Sequence, residues 1–158
     1  MSRSQVTVRV RRPAQTTFDC IASHAWTNEP AWEPEVLGVE PESGTLRLGG
    51  RVAMTRRDYG KVRTTTYVIT ALEPPRRLAI AHVDGPMRFA LEFVVTPVAG
   101  GESDVTVTVD VGLRGTMRLM APVFALTGRR QTARISGQMV RAIEAATSST
   151  GAAVLASA

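Results

Sequence analysis

Strict alternation of apolar and polar residues runs through Val105-Thr106-Val107-Thr108-Val109-Asp110-Val111, then gives way to one amphipathic stretch from about Met117 to Ala146. A period of two predicts a strand with one buried face; the 3.6-residue period after it predicts a helix with one buried stripe. The same alternation appears at the start, where Val6, Val8 and Val10 are set against Thr7, Arg9 and Arg11, until Pro13 stops the strand. Pro13 to Thr17 opens a short helix with Phe18, Ile21 and Ala22 on one side, and a second short helical or irregular piece carries Trp26 and Trp32 between Pro30 and Pro34. Val36 to Glu42, Arg51 to Tyr59 and Val62 to Leu72 read as strands two to four, with Tyr59-Gly60-Lys61 as a hairpin turn. Glu73-Pro74-Pro75 forces a corner before a fifth strand, Leu78 to Val83. In a sixth, Met87, Phe89, Leu91, Phe93 and Val95 alternate with Arg88, Ala90, Glu92, Val94 and Thr96. The pattern predicts an α+β fold: a curved seven-stranded antiparallel sheet, two short helices after strand 1, and a long C-terminal helix around which the sheet closes.

At 100° per residue, Met117, Phe124, Gly128, Ile135, Met139 and Ile143 share one stripe of the last helix, while Arg130, Arg134, Arg141 and Glu144 fall opposite. Pro122 marks a kink or the true first turn. Gly128, Gln131 and Thr132 lie on or beside the buried stripe, where large aliphatics are the usual choice. They imply either a cavity between helix and sheet or a close approach of backbone to sheet.

Composition narrows the function classes. The 158 residues make one domain, residues 1–146, followed by a tail of small residues, 147–158. No apolar run approaches the roughly 20 residues needed to span a bilayer, so no integral membrane association is expected. Met1 to Gln5 lacks an apolar signal-peptide core, which makes a cytoplasmic location the expectation. The net charge of +5 invites a nucleic-acid partner, but every cation except Lys61 is an arginine, and the arginines are scattered without interleaved aromatics. No nucleic acid is expected. The single Cys20 excludes an intrachain disulfide.

Candidate chemistry is sparse. His82 shares strand parity with Leu78 and Ile80, so it could act as a general base or hydrogen-bond a ligand, although the lack of a carboxylate partner in sequence favours a structural histidine. His24, beside Trp26, reads as a surface residue. Two histidines and one cysteine without ligand spacing argue against a metal site. Cys20, beside Phe18 and Ile21, reads as a small hydrophobe. Arg56, on the parity of Val52 and Met54, and Tyr67 on the next strand are the polar groups suited to orienting a ligand in an apolar pocket. The ligand-binding set expected from these patterns is Met54, Arg56, Tyr67, His82, Phe89 and Leu91, with Phe93, Met117, Phe124, Gly128 and Gln131; no cofactor is implied.

Several local patterns also resemble a known family. Phe18-Asp19-Cys20-Ile21 followed by Trp32-Glu33-Pro34-Glu35-Val36 is similar to the first-helix and tryptophan–proline–valine segment of bacterial polyketide cyclase/dehydrase proteins in the SRPBCC (START-like) superfamily. Gly50-Arg51-Val52, Val68 to Glu73 with Pro74-Pro75-Arg76-Arg77-Leu78, Thr96-Pro97 and Ile143-Glu144 extend the likeness over Val6 to Ala146. The resemblance implies a helix-grip fold and, as function, binding of a hydrophobic small molecule such as a polyketide, lipid or isoprenoid-like compound. It also leaves open a cyclase/dehydrase-type enzyme, and an interaction module of the chaperone-ATPase-activator kind. A homodimer is compatible with all three.

Overall fold

A computed structural model describes residues 2–82, 84 and 87–146, so the predicted tail lies outside the described residues. The chain forms β1 (Ser2–Val10), α1 (Ala14–Thr27), β2 (Val36–Pro41), β3 (Arg51–Asp58), β4 (Lys61–Glu73), β5 (Arg77–His82), β6 (Met87–Val98), β7 (Glu102–Leu113), a 3₁₀ turn at Gly115–Met120 and α2 (Ala121–Ala145). The seven strands make one antiparallel sheet in the order β1-β7-β6-β5-β4-β3-β2. The bent sheet and long final helix expected from the periodicities are both present.

One detail differs. The segment after β1 holds a single helix, α1, and residues 28–35 are irregular. Asn28 takes a left-handed φ of 61° and returns its N–H to the His24 carbonyl, which closes the helix. Pro30 and Pro34 then prevent a restart. Met117 likewise falls in the 3₁₀ turn and not in the long helix, whose first turn is set by Pro122.

Turn chemistry fixes the β3–β4 hairpin. Tyr59 and Gly60 both have positive φ, 51° and 77°, between the paired residues Asp58 and Lys61. This matches a type I′ turn, whose twist suits the flanking strands. Gly50 is required for another reason: a Cβ there would stand 2.9 Å from the Arg47 carbonyl and 3.1 Å from the Trp26 ring.

Side chains cross the inner face of the sheet in rows set by the register. At one end Val95, Val105 and Val8 form a row, then Leu78, Phe93, Val107 and Val6. Next come Ile69, Ile80, Leu91, Val109 and Ser4. The final row joins His82, Phe89, Val111 and Ser2, with Tyr67 packed against both His82 and Phe89. Burial falls towards the last row. Val95, Val105, Leu78, Phe93 and Val107 are buried, the third row is split between buried Ile69 and Ile80 and half-buried Leu91 and Val109, and the whole last row is half-buried.

Helix α2 follows the same gradient. It lies along β1, tied by the Ser4 and Thr132 hydroxyls 2.8 Å apart and by the Arg11 N–H donating to Glu144 Oε1 at 2.9 Å. Its second half buries Thr132, Ser136, Met139 and Ile143 against the sheet, whereas no residue from Ala121 to Gln131 is buried. Arg134 donates to Glu35 Oε1 at 3.2 Å, pinning the helix to the 28–35 segment. Helix and sheet thus form a wedge, packed at the end near α1 and open at the other.

His24 departs from the surface position expected of it. It is buried, stacked on Trp32 with ring centroids 3.4 Å apart, and its Nδ1–H donates to the Pro30 carbonyl at 2.9 Å. Burial removes water from the imidazolium and lowers its pKa to about 4, the carbonyl only partly offsetting this. The unfolded chain, with an ordinary histidine, therefore binds the extra proton first, and stability is lost as pH falls from about 6.5 towards 4. Urea midpoints for the wild type should fall across this window, most informatively between about 6.5 and 5, above the carboxylate range. His24→Gln should flatten that decline; an unchanged slope would contradict the assignment.

The wedge makes a second prediction. Ile143→Ala, in the packed half of α2, should cost about 2–5 kcal/mol in equilibrium unfolding. Leu126→Ala, in the open half, should stay within about 0.5 kcal/mol of wild type. Equal losses at the two positions would show that the helix is packed along its whole length.

Candidate functional site

The concave face between β3 and β6 is where the wedge opens. Alternation places Arg56, Met54 and Val52 of β3 and Tyr67 of β4 on this face, together with His82 of β5 and Phe89 and Leu91 of β6. Tyr67 is the hub. Its ring centroid is 5.9 Å from both His82 and Phe89, in edge-on geometry. His82 donates from Nδ1 to the Thr66 carbonyl at 3.0 Å, which leaves Nε2 as its free ring nitrogen.

Beside this aromatic row sits a charged cluster supplied by β3 and the 28–35 segment. Arg56 Nη1 donates to Glu33 Oε2 at 2.9 Å, and Arg56 Nε lies 3.4 Å from Asp58 Oδ2. Glu33 is mostly buried, and desolvation pushes its carboxyl above the ordinary range despite the pull of Arg56. Burial also raises the Tyr67 phenol, with Arg56 opposing, so the hydroxyl stays protonated at neutral pH and can donate a hydrogen bond. Trp32 and Pro34 on either side of Glu33 place a carboxylate in apolar surroundings. That flanking pattern was the available sign for a residue that parity arguments on strands could not reach.

The other expected residues are spread along the wedge. Met54 is buried on the floor beside Val52, Leu91 is half-buried, and Phe93 is enclosed in the packed core and does not line the opening. Met117 is half-buried in the 3₁₀ turn. Phe124 borders a hollow of about 370 Å3 under the first turns of α2, with Val111, Leu113, Ala121 and the arginines Arg88, Arg114 and Arg118 around it. Val111 is the cross-strand partner of Phe89, so this hollow continues the aromatic row.

Gly128 faces open space, since a Cβ built there meets nothing within 4 Å. The close backbone approach considered for it is therefore absent. Gln131 is exposed, contrary to its expected inward position. Because α2 lies along β1 at the sheet edge, the polar groups on its inner side are Thr132, bonded to Ser4 and to the Gly128 carbonyl, and Ser136. The Ser136 hydroxyl is buried without a hydrogen-bond partner among the described residues. Cys20 is buried and its thiol is pushed up by desolvation, as a packed hydrophobe should be.

Solved structures share this architecture. A START superfamily protein from Mycobacterium smegmatis matches with a TM-score of 0.75 and 14% identity, over 91% of this chain and 98% of that one. A protein from Thermus thermophilus matches at 0.73 and 13% identity, over 92% and 99%. The Zhui aromatase/cyclase from a Streptomyces species matches at 0.66 and 16% identity, over 90% of both chains. At these identities the likeness concerns the fold. No curated protein matches the sequence. The family model described as polyketide cyclase / dehydrase and lipid transport, however, matches residues 1–146. A sheet that grips its last helix and leaves one end open is thus joined to a sequence match across nearly the whole chain, and the chain belongs to the polyketide cyclase/dehydrase and lipid-transport family.

Proposed function

We propose that this protein binds a hydrophobic small molecule, of polyketide, lipid or isoprenoid-like type, in the open end of the wedge between sheet and α2. One observation carries the reading: Tyr67, His82, Phe89 and Val111 lie on the concave face yet remain only half-buried, in a row that runs into the hollow under the first turns of α2. Leaving a contiguous aromatic and aliphatic row in water costs about 25 cal/mol per Å2, which an apolar ligand recovers. Under this reading the Tyr67 hydroxyl, with Arg56 beside Glu33 and Asp58, receives its polar end.

A cyclase/dehydrase-type enzyme is the second reading, favoured by Glu33. A carboxyl that burial holds closer to neutrality, steadied by Arg56 near a protonated phenol, is suited to moving a proton while Tyr67 polarises a carbonyl. Under this reading Glu33→Gln abolishes conversion of a poly-keto substrate while its binding persists.

The binding reading is tested at Gly128. Native mass spectrometry of the purified protein should show an apolar compound bound, and an apolar fluorescent dye should compete with it. Gly128→Leu puts a side chain into open space on a helix, so stability should hold or rise by up to about 1 kcal/mol. Dye affinity should drop roughly tenfold as the space fills. A destabilised variant with unchanged dye binding would refute a ligand space at this site.

A further inference from the structure

The open end of the wedge carries an exposed surface that ligand binding alone does not explain. Leu119 and Leu126 are 83% and 75% exposed, and Met120 and Val123 are about half exposed. At 100° per residue, Val123 and Leu126 point away from Phe124 and Gly128, so they do not close over the groove. Between Asp110 and Glu144 the sequence has six arginines and no acid. Four of them, Arg114, Arg118, Arg129 and Arg130, are exposed beside this apolar ridge.

A second projection points the same way. Strand directions put the β3–β4 turn at the same end of the sheet as the start of α2. At its tip Tyr59 is fully exposed, Val62 is more than half exposed, and Arg57, Lys61 and Arg63 surround them. Among the described acids at this end, Glu33 and Asp58 are bound to Arg56, Glu35 to Arg134 and Asp110 to Arg3, which leaves Glu29 and Asp84.

We infer that this end docks on an anionic lipid bilayer surface, with Leu119, Met120, Val123 and Leu126 entering the interface and the flanking arginines on the headgroups. Protruding aliphatics ringed by arginine are the chemistry of interfacial binding. A second copy is disfavoured because a two-fold contact would set the arginine cluster against itself. No helix among the described residues is long and apolar enough to cross a membrane, so docking is peripheral. The inference stands whatever the groove holds, although it turns the mouth of the wedge towards the lipid.

Co-sedimentation with vesicles decides it. The full chain should bind vesicles of mixed phosphatidylglycerol and phosphatidylcholine, bind phosphatidylcholine alone at least about tenfold more weakly, and lose affinity as salt rises. Leu119→Glu/Leu126→Glu and Arg129→Gln/Arg130→Gln should each reduce binding about tenfold or more with melting temperature retained. Absence of vesicle binding, or binding indifferent to both double variants, would overturn the inference. So would a dimer in sedimentation velocity that Leu119→Glu/Leu126→Glu dissociates, because the ridge would then be a protein interface.

Discussion

The unequal grip of the sheet on α2 governs the rest of this structure. Met139 and Ile143 are sealed against valines, Phe18 and Ile21 at one end, where each fully buried aliphatic contributes about 1.5–3 kcal/mol. The first turns of the same helix have no such burial. A helix held at one end by a dense core can leave the other end standing away from the sheet, because its own backbone hydrogen bonds keep it straight. The groove is a consequence of that leverage and needs no special cavity-forming residue.

Electrostatics set the edges of the opening. Arg134 on α2 reaches Glu35, and Arg56 on β3 reaches Glu33 two residues earlier in the same segment. The 28–35 segment therefore bridges helix and sheet through two neighbouring carboxylates and fixes the side wall of the groove. The two pairs differ in character. Arg134 and Glu35 are largely solvated and contribute modestly to stability, whereas Glu33 is enclosed, so loss of Arg56 would leave a buried charge without its partner. The buried stack of His24 on Trp32 supports the same segment from below.

Much of the architecture was legible in the sequence because the sheet has one wet and one dry face. The Met87 to Val95 alternation could place its aromatics on only one side, and the structure exposes Arg88 while Glu92 pairs with Arg77 at the surface. The hairpin at Tyr59-Gly60 was readable from Gly60, which takes positive φ without steric cost, whereas the positive φ of Tyr59 carried no sign in the sequence. The site was less accessible. Helical periodicity gives the faces of α2 but not which of them meets the sheet, so Gln131 was expected inside when the helix is rotated to set Thr132 on Ser4. Glu33 and His24 sit in or against an irregular segment where no periodicity applies, and their burial follows from contacts with Arg56 and Trp32 that are distant or unpatterned in sequence.

The central claim is that one end of the helix–sheet interface is open, and backbone hydrogen exchange measures that residue by residue. In the ligand-free protein, amides from about Thr132 to Ile143 should exchange at rates near global unfolding, while those from Phe124 to Gln131 exchange far faster through local opening. An apolar ligand should slow exchange in the first half of α2 and along Tyr67, His82 and Phe89, leaving the second half unchanged. Uniform protection along all of α2 in the free protein would contradict the account.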